Sequence, residues 1–275
     1  MIIAPNHATF TASSVITLPS LSDTRQLLAA IKAILRGDAL AVVSRIDEKV
    51  VAKAAAVASE VAVVDYDVAP GFGYQADAKP LFEVRTEKDM QDYLEIGAEY
   101  EGRFSSRMRP LPTPTELIEQ AIGAALPGGV VRLPLRDRSA PFGLVRHLQP
   151  GAQVWPHSDN SDIDHGDVPE FAKARTNLSV LAYLEPSIGG ALSIWRRRLT
   201  TRDEIDALRV AGHAYALDVS SLPPPVIIRP ESGMVVLFDA KRIHSVGPNR
   251  GTTPRVSVSG FVLVGDLNTP SFTYY

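Results

Sequence analysis

Apolar residues recur at helical spacing in the first half of the chain. Between positions 23 and 35, leucine and isoleucine occupy positions 27, 28, 31, 34 and 35, which places them on one face of a helix. Ser22 is a suitable N-cap for this helix, and Gly37 is a suitable residue to end it. Further elements are predicted, in chain order, as a buried strand at 39–46, a helix at 47–57, a loop at Pro70, Gly71 and Gly73, and helices at 87–104 and 115–126, the last opened by Thr113 and Pro114.

The pattern changes after the turn sequence at 127–129. Short β-branched runs then alternate with turn residues, which is typical of a β-sandwich or a jelly-roll barrel. We therefore predict a mainly helical part over 1–128 that packs on a β core over 129–275, with one helical insert near 199–212. The predicted strands lie at 130–133, 142–148, 178–184, 191–195, 226–228, 234–238 and 256–264.

Composition narrows the class of protein. The 275 residues suit one large domain with an appended part, since a domain has roughly 150 residues. Hydrophobic residues at 45% and charged residues at 21% exclude a disordered chain. A net charge of −3 argues against a nucleic-acid binder. Because no long apolar run and no leader-like start is present, we expect a cytoplasmic protein without a membrane partner, with a homodimer as one candidate assembly.

The chain has no cysteine and six histidines, so a catalytic metal would need imidazole and carboxylate ligands. His157 and Asp159 are two residues apart in an extended run, and side chains at that spacing point to one side. His244 follows another predicted strand. Two imidazoles and one carboxylate form the facial triad that binds non-haem Fe(II). A histidine and an aspartate at this spacing are common by chance, so this motif alone indicates little.

Arg255 makes the metal interpretation stronger. It lies with Ser257 in an otherwise apolar strand, where a guanidinium is costly unless an anion meets it. Its planar fork suits a carboxylate, and Ser257 faces the same side. One interpretation is an ion pair with an aspartate or glutamate of the fold. The other is the distal carboxylate of 2-oxoglutarate.

Several motifs follow one another in a fixed order between positions 130 and 264. They are RHLQPG at 146–151, VWPHSD at 154–159, the strand at 178–184, GGAL at 189–192, GMVVLF at 233–238, HSV at 244–246 and RVS at 255–257. In this order the chain resembles the Fe(II)/2-oxoglutarate-dependent oxygenases. The resemblance implies a mainly β protein with α-helices, built on a double-stranded β-helix core of the jelly-roll or cupin type.

The resemblance also implies a set of site residues. Iron would bind His157, Asp159 and His244, and O2 would be the oxidant. Arg255 with Ser257 would hold 2-oxoglutarate as cosubstrate, and Arg146 would also contact it.

The layout is similar to small bacterial enzymes that act on amino acids, N-acyl amino acids and natural products. We therefore expect hydroxylation of an unactivated C–H bond of a small molecule. Related halogenases carry a small residue in place of the carboxylate ligand, so Asp159 argues against halogenation. The alternatives are a desaturase or cyclase of the same family, or a non-catalytic cupin-like metal-binding barrel. Arg255 favours an oxygenase, because a simple binding barrel does not need it.

Other features allow two interpretations each. Trp195, Arg196 and Arg198 form either a solvated face or a binding surface for an anionic substrate. The acidic loop at 160–169 is either a second metal site or a polar lid beside the iron. The histidines outside both the triad and the acidic loop lack the spacing of the triad and are not expected to bind the metal; these are His7, His147 and His213.

Overall fold

The computed structural model describes residues 14–165 and 168–275. His7 and Asp167 of the acidic loop lie outside the described residues. The helices of the described part are α1 Thr24–Arg36, α2 Glu48–Ala58, α3 Glu87–Met108, α4 Pro114–Ala125, α5 Ser161–Asp164, α6 Pro169–Lys173 and α7 Arg202–Asp206, with a short 3-10 helix at Leu81–Glu83.

The strands follow the alternating pattern of the sequence and extend it. They are β1 Val15–Thr17, β2 Ala41–Arg45, β3 Val63–Tyr66, β4 Ala69–Gln75, β5 Val130–Arg132, β6 Pro134–Leu135, β7 Arg138–Ser139, β8 Leu144–Leu148, β9 Val154–His157, β10 Thr176–Glu185, β11 Leu192–Arg198, β12 Val226–Ile228, β13 Met234–Asp239, β14 Arg242–Val246, β15 Arg255–Val264 and β16 Ser271–Tyr274.

Eight of these strands form two sheets in the order of a double-stranded β-helix. The major sheet contains the run β13-β10-β15-β8, and the minor sheet has the order β12-β11-β14-β9. Every neighbouring pair within these two runs is antiparallel. Strands that are neighbours in the chain alternate between the sheets, except β11 and β12, which pair with each other in the minor sheet. The predicted fold class is confirmed.

The environment of strand β10 explains why its sequence is apolar on both faces. Val180 and Ala182 lie on its outer face, in the apolar cluster that also contains residues of α1, α2 and α4. Leu181 and Tyr183 lie on its inner face and pack in a second cluster with Ile194 of the minor sheet. Both faces are buried, so the strand needs apolar residues at odd and even positions alike.

The helix ends follow local capping rules, with one correction. Asp23, and not the predicted Ser22, caps α1, because its carboxylate accepts from the backbone N–H of Gln26 at 3.0 Å. Ser22 instead contacts the hydroxyl of Ser20. Gly37 ends the helix in the left-handed conformation, with φ of 80°, as predicted.

The predicted loop at Pro70, Gly71 and Gly73 is wrong, because these residues belong to β4. The strand pairs with β3 on one side and β8 on the other. A Cβ at Gly73 would lie 2.4 Å from the carbonyl oxygen of Val64, so glycine is needed for this close pairing. Long-range pairing thus overrides a local sequence that favours a turn.

The first 128 residues supply strands to the major sheet as well as helices. Strands β1 and β2 extend it beyond β13, and β4 and β3 extend it beyond β8. The boundary at 128 stays a prediction. Among the described residues, no helix has the length and apolar character needed to cross a membrane. The cytoplasmic location and the homodimer also stay predictions.

Candidate metal centre and anion pocket

A cavity of about 360 Å³ opens between the major and minor sheets. Alternate residues of β15 line it, because side chains two apart on a strand share a face; these are Arg255, Ser257, Ser259 and Phe261. His157 of β9 and His244 of β14 line the side formed by the minor sheet. Any group bound in this cavity would therefore contact both sheets.

The predicted triad is brought together by strand register. His157 and His244 are directly opposite each other in the β9–β14 pair, and their ring centroids are 4.2 Å apart. The Asp159 Oδ1 atom lies 3.7 Å from Nε2 of His157, and its Oδ2 atom lies 3.4 Å from Nε2 of His244. The three ligand atoms lie within 4.8 Å of one another, and no other such group occurs in the described ranges.

Backbone carbonyls fix which ring nitrogens face the centre. Nδ1 of His157 lies 2.8 Å from the carbonyl oxygen of Trp155, and Nδ1 of His244 lies 2.9 Å from that of Arg242. A carbonyl oxygen can only accept, so each Nδ1 carries the proton and each Nε2 presents a lone pair. Two lone pairs and a carboxylate then converge without a donor between them, which fits a bound cation.

The electrostatics favour the metal-binding forms of His157 and Asp159 at neutral pH. Burial lowers the pKa of His157 to about 4, and the neighbouring His244 adds to this decrease. Burial acts to raise the pKa of Asp159, but the contact with His244 and the nearby His157 and Arg146 outweigh it and hold the pKa at about 2. A metal would therefore displace few protons on binding.

Arg255 lies in the same cavity without a carboxylate partner. It is 3% exposed, and burial lowers its pKa. One of its terminal nitrogens donates to the carbonyl oxygen of Gly190 at 2.8 Å, whereas Nε has no partner. Within the described ranges no aspartate or glutamate forms an ion pair with it, so the interpretation as a structural ion pair receives no support. A buried guanidinium in this state suits an anionic ligand.

Tyr183 is a residue of this pocket that sequence reasoning missed. Its hydroxyl is buried without a partner, and the guanidinium carbon of Arg255 lies 5.3 Å from its ring centroid. Ser257 lies on the neighbouring strand β15, directly opposite Tyr183 in register, and is also buried. The alternation of side chains along β10 could have indicated Tyr183, because it lies four residues from Ser179 and therefore faces the cavity as Ser179 does.

Gly190 of the GGAL motif lets the backbone approach Arg255. It has φ of 62°, and a Cβ there would lie 3.1 Å from Cδ of Arg255. Its carbonyl accepts the hydrogen bond described above. Glycine at this position therefore adopts the positive φ that the turn requires and also leaves room for the side chain of Arg255.

Arg146 lies in the cavity but is held by neighbours within it. Its Nε donates to the hydroxyl of Tyr66 at 3.0 Å, and a terminal nitrogen donates to the hydroxyl of Ser259 at 2.7 Å. It is opposite Ser257 in register. Its contact with a cosubstrate stays a prediction.

The solvent side of the cavity carries an aromatic wall and two arginines. Tyr66 lies at ring-centroid distances of 5.1 Å from Phe72 and 4.8 Å from Phe82. Arg202 and Arg209, which belong to the helical insert, also line the cavity. Both are partly exposed, at 48% and 31% of their side chains. The site therefore offers apolar and cationic contacts to one ligand.

The two arginines at the solvent side of the cavity are not those that the sequence offered as a substrate-binding surface. Trp195 packs in a separate apolar cluster with Leu199 and Ile243. Arg196 contacts Ser14 and the backbone of Gly37, and Arg198 forms an ion pair of 2.7 Å with Asp239. None of the three lines this cavity. Their position therefore gives no support to a role in substrate binding.

The acidic loop and the remaining histidines lie outside the triad. Asp162 pairs with Lys241 at 2.7 Å and Asp164 with Arg202 at 2.8 Å, so these carboxylates are neutralised by neighbours. His213 packs against Trp155 and Tyr215, and His147 is buried on β8. The loop residues 158–161, 164 and 165 line the cavity, and its role as a lid stays a prediction.

Comparison with known proteins agrees with this geometry. The family model of the 2OG-Fe(II) oxygenase superfamily matches residues 142–263, which include the triad and Arg255. Over these residues, which make up less than half of the chain, the protein is similar to members of this superfamily. The match contains all eight strands of the double-stranded β-helix except the last residue of β15.

The individual proteins to which the chain is similar are distant relatives. The chain is 26% identical over 152 residues to an L-gamma-glutamyl-L-propargylglycine hydroxylase of Streptantibioticus cattleyicolor, and the match spans 55% of each chain, about half the length of that relative. Its fold is similar to that of an N-substituted L-amino acid dioxygenase from Burkholderia ambifaria, with a TM-score of 0.58, 17% identity and coverage of 90% and 91%. It is also similar to the epimerase SnoN of nogalamycin biosynthesis, with a TM-score of 0.51, 16% identity and coverage of 87% and 82%.

Proposed function

We propose that the protein is an Fe(II)- and 2-oxoglutarate-dependent oxygenase that hydroxylates an unactivated C–H bond of a small molecule. One observation carries this proposal: three converging metal-ligand atoms and a buried arginine without a carboxylate partner open into one cavity. A metal-binding barrel needs only the first of these features. The second suits a cosubstrate with a free carboxylate.

Each residue has a defined task in this proposal. His157, Asp159 and His244 would hold Fe(II), with their rings oriented by the carbonyls of Trp155 and Arg242. Arg255 would bind the distal carboxylate of 2-oxoglutarate, and the buried, unpartnered hydroxyl of Tyr183 would donate to it. Iron and 2-oxoglutarate together supply the oxidising chemistry with O2, and the protein supplies position and a cavity with little water.

The substrate proposed is a carboxylate-bearing amino acid derivative with an apolar group. Arg202 and Arg209 would meet the carboxylate at the solvent side, and the wall of Tyr66, Phe72 and Phe82 would contact the apolar group. The names of the two amino-acid-directed relatives, one a hydroxylase and one a dioxygenase, support this substrate class. Natural-product intermediates with the same two features fall within the proposal.

Asp159 bears on the outcome of the reaction. Its carboxylate occupies the position of the triad that related halogenases leave to a halide. We therefore expect an oxygenated product and no chlorinated product, even in chloride-rich buffer. Desaturation or ring closure would instead give a product lighter than the substrate by two hydrogens.

The test combines turnover with metal binding. The purified protein is supplied with Fe(II), 2-oxoglutarate and O2, and succinate is measured across a panel of free and N-acylated amino acids. We expect O2-dependent succinate and a product heavier by one oxygen. His244→Ala should lose both turnover and stoichiometric Fe(II) binding, whereas His213→Ala, a nearby histidine outside the triad, should keep Fe(II) binding.

Two results would contradict the proposal. Fe(II) binding without any O2-dependent succinate, across the whole panel, would indicate the cupin-like binding barrel. Full Fe(II) binding by His244→Ala, with a native circular dichroism spectrum, would show that the triad is wrong.

A further inference from the structure

A second cleft is lined by residues that do not line the main cavity. It forms where the end of α1 meets the start of β10, the β13–β14 turn and the loop after β15. We call it the rear cleft and define it by its charged lining residues, which are Lys32, Arg36, Arg175, Arg198, Asp239, Arg242 and Asp266. Five of these are cations and two are carboxylates, so the lining carries an excess of positive charge.

The carboxylates of this region leave much of that charge unbalanced. Asp239 pairs with Arg198 at 2.7 Å, and Arg36 pairs with Asp38 at 2.7 Å. Lys32 and Arg175 form no ion pair with the described residues, and their side chains are exposed at the edge of the cleft. Two cations at the edge are therefore available to a ligand.

Arg242 is a buried cation in the lining of the rear cleft. It is 8% exposed, one terminal nitrogen donates to the carbonyl oxygen of Arg196, and Nε has no partner. No carboxylate of the described residues forms an ion pair with it. Arg255 in the main cavity is in the same state. Arg242 and Arg255 are thus both buried cations that lack an anionic partner. Arg255 lines the main cavity, and Arg242 lines the rear cleft.

The β13–β14 turn joins the rear cleft to the metal ligands. The carbonyl oxygen of Ala240 accepts from the backbone N–H of Asp159 at 2.8 Å. The carbonyl oxygen of Arg242 accepts from Nδ1 of His244 at 2.9 Å. A ligand held by the Arg242 side chain would therefore bind the same turn that positions two members of the triad.

We propose that the rear cleft binds a phosphate group and that its occupancy strengthens metal binding at the triad. A phosphate dianion matches the excess positive charge better than a single carboxylate does. Neutralising Arg242 would lower the positive potential that opposes a divalent cation at His244. This proposal goes beyond the oxygenase function and is independent of turnover.

Binding is tested on the full-length, metal-free protein by calorimetric titration with inorganic phosphate and, separately, with glycerol phosphate, in slightly alkaline HEPES buffer of matched ionic strength, where phosphate is a dianion. We expect saturable binding of one equivalent. The double variant Lys32→Ala, Arg175→Ala should weaken it at least about tenfold, in line with loss of two charge-assisted contacts. The control Arg25→Ala, Lys53→Ala removes two exposed cations outside the cleft and should bind as the parent does.

A buried-site variant separates binding from folding. Arg242→Met should lose phosphate binding, while its thermal unfolding temperature in the same buffer without phosphate stays at or above that of the parent, because a buried unpaired charge is removed. Binding of inorganic phosphate alone would identify the free ion as ligand, whereas binding of both probes would identify the phosphate group of a metabolite.

The link to the metal is tested with Co²⁺ as a probe of the triad. Saturating phosphate should tighten Co²⁺ binding about fivefold, and Co²⁺ should tighten phosphate binding by the same factor. The linkage should vanish in Arg242→Met, which should lose phosphate binding, and persist in the control Arg25→Ala, Lys53→Ala. Absence of saturable phosphate binding, or binding that the double variant leaves intact, would refute the site. Binding without linkage would refute its coupling to the metal.

Discussion

Arg255 shows how one residue can lower stability and still be required. Its guanidinium is buried with one carbonyl contact and no carboxylate partner among the described residues. Removing a charge from water costs several kcal/mol unless a partner compensates for it. The protein without cosubstrate therefore holds an electrostatic strain that a bound carboxylate relieves.

Replacing Arg255 by methionine should act in opposite directions on binding and on stability. The affinity for 2-oxoglutarate should fall by about 2–5 kcal/mol, as when one partner of a buried charge pair is lost. Thermal stability without cosubstrate should stay equal or rise, because methionine fills similar volume without a charge. Both are measured by calorimetry, with Arg250→Met, an exposed arginine five residues earlier, as control. Unchanged 2-oxoglutarate affinity would remove Arg255 from the site.

At the scale of elements, the turn between β10 and β11 positions Arg255 through a glycine. Gly190→Ala should destabilise the protein by about 1–2 kcal/mol, since alanine disfavours a positive φ. Gly151→Ala is the matched control, because Gly151 has φ of 81° and open space around its Cβ position. Both variants should lower the free energy of unfolding in urea, but only Gly190→Ala should weaken 2-oxoglutarate. Equal cosubstrate affinities in the two variants would contradict this role.

The helical insert should select the charge of the substrate. Arg209→Ala should raise KM for a carboxylate-bearing substrate about tenfold, as expected for one hydrogen bond to a charged group. KM for 2-oxoglutarate should not change, because Arg209 lies at the solvent side of the cavity. The methyl ester of the same substrate should show no difference between parent and variant. Arg197→Ala, which precedes the insert and does not line the cavity, serves as control. An equal loss for acid and ester would indicate a structural role.

Sequence periodicity was sufficient to predict the helices and strands whose burial follows one regular pattern along their length. The spacing of His157, Asp159 and His244 predicted their approach, because strand parity and pairing fix direction. The strand at 69–75 was missed, because its glycines are explained only by contact with β3 and β8. Arg202 and Arg209 were missed as well. Which arginines reach the cavity depends on the path of the insert, and a charge run such as that at 196–198 carries no information about that path.

At the scale of the whole molecule, the two sheets bring the metal-ligand atoms and the anion-binding arginine together. His244 belongs to the minor sheet, Asp159 is anchored to the β13–β14 turn, and Arg255 lies on the major sheet. Bringing these groups together is therefore possible only in the complete fold. Cations and anions that bind there should stabilise the folded state, since the unfolded chain has no such sites.

The same arrangement should make the metal-free protein sensitive to acid. The pKa of His157 is about 4 in the folded state, below its ordinary value near 6.5. The unfolded chain therefore binds more protons between these values, so stability is fully present above about pH 6.5 and decreases towards pH 4. This residue contributes at most about 3 kcal/mol to that decrease. His157→Gln should flatten the fall in unfolding free energy between about pH 6.5 and pH 5, measured by urea titration after chelation of metals. His213→Gln should retain the slope of the parent. If His157→Gln retains it too, the buried environment assigned to the first triad histidine is incorrect.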